Sequence, residues 1–389
     1  MKSLLTPTLP GLLVLAILSA SEPLLAIDYT WNGGSGQWTE SAKWTPNGIP
    51  SSGDKATING GTVNIPQEGA GIAELILTGG IIEGPGDLTV ATAMDWHAGA
   101  DLRGTGTTTI APAATLTFEG DGNRGLHNRT LQINGTFLVD AEGTFWLQSG
   151  AIVHAGSPAV IELRADSVWN HNYGTGPTVT LAGSLSKTAG GGSASFSNFI
   201  PNLDNLSVEC SSGSLVFPSG VTGNGSFHAG TGARITFPTN TSLVDSSFTG
   251  AGVVEFTGGE LYLDGSFTSE NVELHGATLY GTHILQGEWK WLSNDLRGDG
   301  LTTIGTGATL RLQGTGDRAI HNRTLQVNGS FIDEGTGTLW LQSGCSVQTG
   351  LNGTITLPGS LSWNHNYGTS PTVTNLGTIE KTGGGAVNL

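Results

Sequence analysis

The sequence predicts an all-β protein in which short parallel strands stack as the coils of a solenoid. Three observations predict this fold: abundant glycine, scarce charge and a long internal duplication. Glycine accounts for 62 of the 389 residues, which is more than twice its usual share. Charged residues account for 12%, about half of their usual share. With only 15 prolines the chain is not a collagen, and its 37% hydrophobic content argues against disorder.

Residues 1–26 are similar to a secretory signal peptide. Lys2 gives a positive start, and residues 12–18 form a short apolar stretch. We expect cleavage after Ala26, with Ala20 or Ser21 as alternatives. The stretch is too short to span a bilayer, and no later one reaches that length. Cleavage removes one Lys and one Glu, so the net charge of −16 is kept. An acidic chain disfavours nucleic acid and anionic membranes as partners. Because of the signal-like segment and the lack of a later membrane-spanning stretch, we expect a secreted or cell-surface protein without membrane insertion.

The chain repeats itself at an offset of 194 residues. From Asp101 to about Gly191 the two copies align without a gap, and roughly half of the positions are identical. The clearest matching segments are 101–110 with 295–304, 127–137 with 321–331, 143–150 with 337–344, and 169–180 with 363–374. Such a duplication indicates a repeat architecture.

Each copy consists of shorter units that predict strands and turns. Apolar residues alternate with polar ones, as at Leu116 and Phe118 or Leu131 and Ile133, and glycine or Asn-Gly separates the units. A sandwich or propeller of hairpins and a parallel solenoid both fit this pattern. Short strands favour the solenoid, and so does scarce charge, because like charges stacked every ~4.8 Å repel. At ~22 residues per coil we expect about sixteen coils, near 75 Å of rod, with loops along one side as a contact surface.

The segment TLTFEGDGNRGLHNRTLQINGTF at 115–137, with the later GTFWLQSG and GSLSKTAGGG, resembles the repeats of large exported bacterial proteins. Those proteins are right-handed parallel β-helices of the adhesin and autotransporter-passenger type. Residues 29–65 resemble the W-x-G-G-x-G-x-W module that opens many such chains. The resemblance implies a right-handed parallel β-helix with surface exposure, attachment or scaffolding, and it does not imply catalysis.

These observations divide the chain into four parts. After the signal peptide we expect a Trp-rich cap module at 27–70, a first super-repeat at 71–269 and an incomplete second one at 270–389. The second copy stops where the first continues beyond Lys187 for about eighty further residues. We therefore expect that the natural protein is longer, or that its reading frame is interrupted.

Trp31, Trp38 and Trp44 lie six or seven residues apart in the cap module. They could form an aromatic platform for sugar rings. They could instead close the end of the solenoid, which would otherwise expose its core and unpaired strand edges. We favour the cap, because every such stack needs one.

The segment WNHNY at 169–173 and its copy at 363–367 are the most distinctive polar and aromatic clusters. They predict either repeated carbohydrate contacts or loops in which Asn adopts left-handed geometry. We favour the loop, and two copies argue against a single catalytic site. The candidate glycan contacts are Trp169, His171, Tyr173, Trp363, His365 and Tyr367.

The alternatives to a structural or adhesive protein are a polysaccharide-binding module and a polysaccharide lyase or hydrolase. Arg103, His127 and Arg129 lie near Asp101 in the sequence, and a lyase needs a base and cations beside a uronate. The copies of these groups are Arg297, His321, Arg323 and Asp295. Because few other groups converge on them, we expect no catalytic residues, and we expect a structural or adhesive protein whose partner is a polysaccharide or a host or neighbouring cell surface.

Metal ligands and disulfides are not indicated. The nine histidines lack ligand spacing, and we expect no metal and no cofactor. Cys210 and Cys345 are 135 residues apart, or about six coils and near 30 Å in a solenoid, which is far beyond the reach of a disulfide. We expect both to be unpaired apolar side chains of the core.

Overall fold

The computed structural model describes residues 25–388. It is a parallel β-solenoid of about sixteen turns, in which strands form 59% of the chain, and a Trp-rich cluster stands at its N-terminal end. The all-β solenoid prediction and the expected number of coils are confirmed. The signal peptide predicted at 1–26 lies almost entirely outside the described residues.

The first turns contain three short and three long strands and the one helical element of the described residues, a short 3-10 helix at Ser41–Lys43. These strands are β1 (Asp28–Trp31), β2 (Ser35–Gln37), β3 (Trp44–Thr45), β4 (Lys55–Asn64), β5 (Ala70–Glu83) and β6 (Leu88–His97).

The first copy of the duplication follows in strands of four to six residues. They are β7 (Ala100–Arg103), β8 (Thr107–Ile110), β9 (Thr115–Glu119), β10 (Arg124–His127), β11 (Thr130–Ile133), β12 (Thr136–Val139), β13 (Gly143–Gln148), β14 (Ile152–Ala155), β15 (Val160–Leu163), β16 (Ser167–Asn170), β17 (Thr178–Leu181), β18 (Ser184–Lys187) and β19 (Ser193–Ser197).

In the central turns some strands run through a corner and serve two or three sides of the solenoid. They are β20 (Asn202–Cys210), β21 (Ser214–Val216), β22 (Thr222–Ala229), β23 (Arg234–Phe237), β24 (Thr241–Val244), β25 (Ser247–Thr249), β26 (Val253–Phe256), β27 (Glu260–His275), β28 (Thr278–Tyr280) and β29 (His283–Leu296).

The second copy returns to short strands. They are β30 (Leu301–Ile304), β31 (Thr309–Leu312), β32 (Arg318–His321), β33 (Thr324–Val327), β34 (Ser330–Asp333), β35 (Thr338–Gln342), β36 (Ser346–Thr349), β37 (Thr354–Leu357), β38 (Leu361–Asn364), β39 (Thr372–Asn375), β40 (Thr378–Lys381) and β41 (Val387–Asn388).

In the regular turns three strands make one turn, and each pairs in parallel with the strand one turn before and one turn after it; at the N-terminal end β1 also pairs with β3 in antiparallel orientation. The stacked strands therefore form three sheets. Face 1 is the sheet that contains β7, β10 and β13, face 2 contains β8, β11 and β14, and face 3 contains β9, β12 and β15. Side chains alternate between the inside and the outside along every short strand, as expected for a strand with one buried face.

A continuous apolar column fills the inside. In its middle Phe196, Phe217, Phe237 and Phe256 stack face to face, with ring centroids 5.3, 5.3 and 4.9 Å apart. Because each strand places like residues above one another, the pattern of one turn is repeated by its neighbours. Cys210 and Cys345 are free and buried in this column, as expected from their spacing.

The two copies of the duplication lie on different faces. Nine successive pairings on face 1 lead from Leu102 to Trp289. Leu296, the counterpart of Leu102 in the second copy, lies on the following segment of β29 and belongs to face 2. The offset therefore spans nine turns and one third of a turn.

Turn length explains this rotation. One turn takes 27 residues between Trp169 and Phe196 but only 17 between Val272 and Trp289. A fixed number of residues consequently does not correspond to a fixed number of turns. The expectation that the repeated loops project along one side is wrong.

The three cap tryptophans form a buried cluster at the N-terminal end. Trp31 and Trp38 each pack edge-on against Trp44, with ring centroids 5.0 Å apart in both pairs. The Trp44 indole donates a hydrogen bond to the Trp38 carbonyl over 2.8 Å. All three side chains are at most 2% exposed, so their faces are closed to a sugar and they contribute to the packing of the first turns, as the cap interpretation expects.

Within residues 25–388 no helix is long and apolar enough to cross a membrane.

Candidate functional site: two matching clefts

The duplication produces two surface clefts with corresponding linings. The first lies on face 1 and has a volume of about 370 Å³, and the second lies on face 2 with about 310 Å³. The first is lined by Gly99, Asp101, Asn123, Arg124, Gly125, His127, Trp146, Gln148, Asn172 and Tyr173. The second is lined by Asp295, Arg297, Asp317, Arg318, Ala319, His321, Trp340, Gln342, Asn366 and Tyr367. The same types of side chain are thus brought together on two different faces of the solenoid.

An outward tryptophan stands at each cleft. In β13 the side chains of Phe145 and Leu147 point into the column, so Trp146 between them points out and is partly exposed. Trp340 of β35 takes the same place in the second copy. Neither tryptophan is among the predicted site residues, although the alternation of apolar residues around them indicates an outward indole.

The centre of the cleft is a tyrosine, a histidine and an aspartate in contact. The Tyr173 hydroxyl lies 2.8 Å from Nδ1 of His127, and Nε2 of the same ring lies 3.7 Å from Asp101. Because a carboxylate can only accept, the arrangement suits a ring that carries its hydrogen on Nε2 and accepts the tyrosine hydrogen at Nδ1. The tyrosine oxygen then keeps lone pairs that point to the cleft.

The second cleft has the same geometry. The Tyr367 hydroxyl lies 2.8 Å from Nδ1 of His321, whose Nε2 lies 3.4 Å from Asp295. The two rings of each pair are tilted by 36° in both copies. Agreement to this degree indicates that the contacts follow from the local sequence and not from the particular face.

The histidines favour the neutral form. Burial lowers the pKa of His127 below its ordinary value, against the opposing effect of Asp101. Burial likewise lowers the pKa of His321, helped by the nearby positive charge of Arg297. A neutral imidazole is therefore present in each cleft at neutral pH.

An arginine compensates the aspartate in each cleft. Arg103 and Arg297 bind Asp101 and Asp295 over 2.6 Å. Each pair cancels its own charge, and the other charged side chains of the linings are Arg124 in the first cleft and Arg318 with Asp317 in the second.

A buried glutamine positions the tyrosine loop. The Gln148 side chain, fully buried at the end of β13, donates to the Asn172 side chain over 2.8 Å and accepts from the backbone N–H of Tyr173 over 3.1 Å. Gln342 makes the same two contacts with Asn366 and Tyr367, at 2.7 and 3.2 Å. The loop is thereby held over the neighbouring turn, which brings the tyrosine ring to the histidine.

The predicted WNHNY contacts are only partly brought together. Tyr173 and Tyr367 reach the clefts and are 53% and 52% exposed. His171 and His365 instead bring Nδ1 to 2.9 Å from a backbone carbonyl of the preceding turn. The histidines thus belong to the loop rather than to the centre of the cleft.

The tryptophans of WNHNY belong to the core, which corrects their predicted role. Trp169 is fully buried between Phe145 and Phe196. Trp363 is 5% exposed and lines a partly open pocket of about 490 Å³ at the last turns. Strand parity points both side chains inward, and the indole of Trp169 is closed to a ligand at the surface.

Arg129 and Arg323 also lie outside the clefts. Arg129 is buried and donates to the Thr108 hydroxyl over 2.8 Å and to carbonyls of two earlier turns, among them Gly86 at 3.0 Å. Arg323 binds the Thr302 hydroxyl in the same way. Burial lowers the pKa of each arginine to about 10. The basic group proposed for a lyase therefore reduces to one arginine and one histidine per cleft.

The clefts differ at one position that touches the tryptophan. Asp317 accepts the indole N–H of Trp340 over 3.1 Å. Asn123 stands at the same place in the first cleft and accepts the Thr144 backbone N–H over 3.0 Å. Among the described residues no acceptor binds the Trp146 indole N–H.

In the described part of the chain no three His, Cys, Asp or Glu side chains form a group that could hold a metal ion. Comparisons of the chain with protein-family models, with curated proteins and with solved structures find no match.

Proposed function

We propose that the protein is a structural and adhesive β-solenoid that binds an uncharged polysaccharide through its two clefts. The observation that carries the proposal is that each cleft repeats the same group of side chains: an outward Trp, an exposed Tyr and a buried Gln. The solenoid supplies a rigid rod, and the clefts supply the contact surface.

Aromatic side chains support a sugar as the ligand. Trp146 and Tyr173 border the same cleft, and both present an apolar ring next to a polar tip. Such rings bind the C–H faces of pyranoses, while hydroxyl groups are bound by the polar atoms around them. Here the Tyr173 oxygen, the Asp101 carboxylate and the Asn172 amide provide acceptors and donors within reach of one ring.

Charge supports an uncharged polymer. The Arg103–Asp101 ion pair is internally compensated, and the neighbouring imidazole of His127 is neutral. The net charge of −16 repels carboxylated and sulfated polymers at long range. A neutral glycan avoids that repulsion and still uses every polar group of the cleft.

Affinity electrophoresis tests the proposal. The protein is run in gels containing hydroxyethylcellulose, galactomannan, xylan or dextran, and in gels containing carboxymethylcellulose, alginate or pectate. We expect retardation by at least one neutral polymer and by none of the acidic ones. Changing both Trp146→Ala and Trp340→Ala should weaken binding at least about tenfold, equivalent to about 1.4 kcal/mol.

Ile152→Ala is the matched control. This side chain is 40% exposed and lies on face 2 near the first cleft without lining it. Its loss removes exposed apolar surface but no cleft contact, so the mobility should equal that of the wild type. Absence of retardation in all gels, or unchanged retardation of the double variant, would refute the proposal.

Acid–base chemistry on a polysaccharide is the second candidate. The contact between the Tyr173 hydroxyl and a neutral His127 favours it, because a histidine can accept the proton of a tyrosine that acts on a sugar carbon. Asp101 is the one carboxylate that lines the first cleft, whereas hydrolysis uses two, so elimination fits better. Turnover to an unsaturated product, abolished by His127→Ala with His321→Ala, would establish an enzyme.

We also propose secretion or display on the cell surface. The signal-like segment 1–26 supports it. Expression of the full chain followed by N-terminal sequencing of secreted protein should give a terminus after Ala26, whereas retention of an intact N-terminus inside the cell would contradict it.

A further inference from the structure

We propose that the protein cross-links polysaccharides, because its two clefts must hold two different polymer chains. This inference rests on the proposed function and adds to it the number of partners and their arrangement.

The position of the clefts carries the argument. The second cleft follows the first after nine turns and one third of a turn, which corresponds to ~45 Å along the axis at ~4.8 Å per turn. It also lies on the neighbouring face, so the two openings point about one third of a revolution apart. An extended polymer bound in the first cleft and running along face 1 therefore never passes the second.

Continuous packing keeps this arrangement fixed. Between the clefts, the aromatic stack from Phe196 to Phe256 and the parallel pairings of every turn form one uninterrupted core. A hinge that could bring both openings to one side would have to break these pairings. Two engaged clefts thus place two polymers at a set separation and orientation.

The conserved linings imply that both clefts accept the same class of polymer. Tyr, His, Asp, Arg, Trp and Gln recur in corresponding places with closely similar distances. The linings differ at Asn123 and Asp317, which changes one indole contact and adds a carboxylate to the second cleft, and at Gly125 and Ala319. Each molecule therefore has two clefts for one kind of ligand, which is what a cross-linker requires.

Agglutination measures cross-linking directly. Beads coated with the neutral polysaccharide that retards the protein most in the gels are mixed with wild-type protein, and aggregation is followed by light scattering. We expect aggregation at intermediate protein concentration and its loss at high excess, where each bead is saturated by separate molecules.

Single-cleft variants provide the decisive comparison. Trp146→Ala and Trp340→Ala should each still bind the beads but reduce aggregation at least tenfold at equal bound protein. Tyr173→Ala and Tyr367→Ala, at sites more than half exposed, should give the same result and guard against misfolding of a tryptophan variant. Ile152→Ala should aggregate the beads like the wild type.

The outcomes separate the two proposals. If wild-type protein binds beads without aggregating them, or if a single-cleft variant aggregates them as well as the wild type, cross-linking is refuted while binding stands. If no polymer of the panel is bound, the proposed function itself fails. Titration with a short oligosaccharide of the same polymer should give two sites for the wild type and one for each variant.

Discussion

Acidification should destabilise the second copy of the duplication through one buried histidine. His283 is 2% exposed; its Nδ1 lies 3.1 Å from the Leu263 carbonyl and its Nε2 3.1 Å from the Thr302 hydroxyl. That hydroxyl accepts from Arg323 over 2.8 Å, so its own hydrogen points to Nε2 and the ring is neutral. A proton on Nε2 would replace this hydrogen bond and add a second positive charge beside the guanidinium.

The magnitude follows from the pKa. Burial, reinforced by Arg323, lowers the pKa of His283 from 6.5 to about 3. Between these two values the unfolded chain binds a proton that the folded chain does not, so stability falls as the pH falls below 6.5. Each pH unit costs about 1.4 kcal/mol, which gives about 3 kcal/mol at pH 4.5 relative to neutral pH.

His283→Leu is the appropriate change, because the first copy already carries a leucine there. Leu88 pairs with Thr108 as His283 pairs with Thr302. Hydrogen exchange of the amides in β29 and β30 should report a loss of protection from pH 7 to pH 4.5 in the wild type that is about 3 kcal/mol larger than in the variant. The turns around Leu88 serve as an internal reference. Equal pH dependence in wild type and variant would refute the reasoning.

Three further predictions concern stability and the cleft. Arg129→Met should destabilise the first copy by about 3 kcal/mol or more, because several buried acceptors lose their donor, whereas Arg103→Met at the surface should cost less than about 1 kcal/mol; chemical unfolding of both variants checks this. Gly143→Ala should lower the melting temperature, since its φ is +129° and a Cβ would approach a backbone oxygen of the preceding turn to 2.1 Å, and Gly191→Ala, where the space is open, should leave it unchanged. Gln148→Ala should free the tyrosine loop and weaken polysaccharide retardation while tyrosine fluorescence reports greater exposure; unchanged retardation would show that the loop does not need this clamp.

Much of the fold could be predicted because its cause is local. Alternating apolar residues separated by glycine define short strands with one buried side, and the turns between them need glycine at positive φ, as at Gly143. Scarce charge follows from stacking, and the opposite charges that do occur pair across turns, for example Arg234 with Glu255 at 2.9 Å. These properties are visible in the sequence of any single turn.

The clefts could be predicted only in part because they depend on strand parity and on turn length. Strand parity decides that Trp169 points inward and Trp146 outward. The sequence signal for the outward position of Trp146 is that it stands between two apolar residues, Phe145 and Leu147. His127 belongs to the predicted lyase group and Tyr173 to the predicted glycan contacts. The sequence does not indicate that they meet, because 46 residues and two turns separate them in the chain. The rotation between the copies could not be predicted, because turns of 17 and 27 residues look alike in a sequence.

The rotation between the copies is a screw operation. One copy is carried onto the next by a translation of ~45 Å along the axis and a rotation of one third of a revolution. Applying the same operation a second time would carry the cleft to face 3, and a third application would return it to face 1. Because each application changes the face on which a cleft lies, clefts generated by this operation would point in three directions around the rod instead of forming a single row.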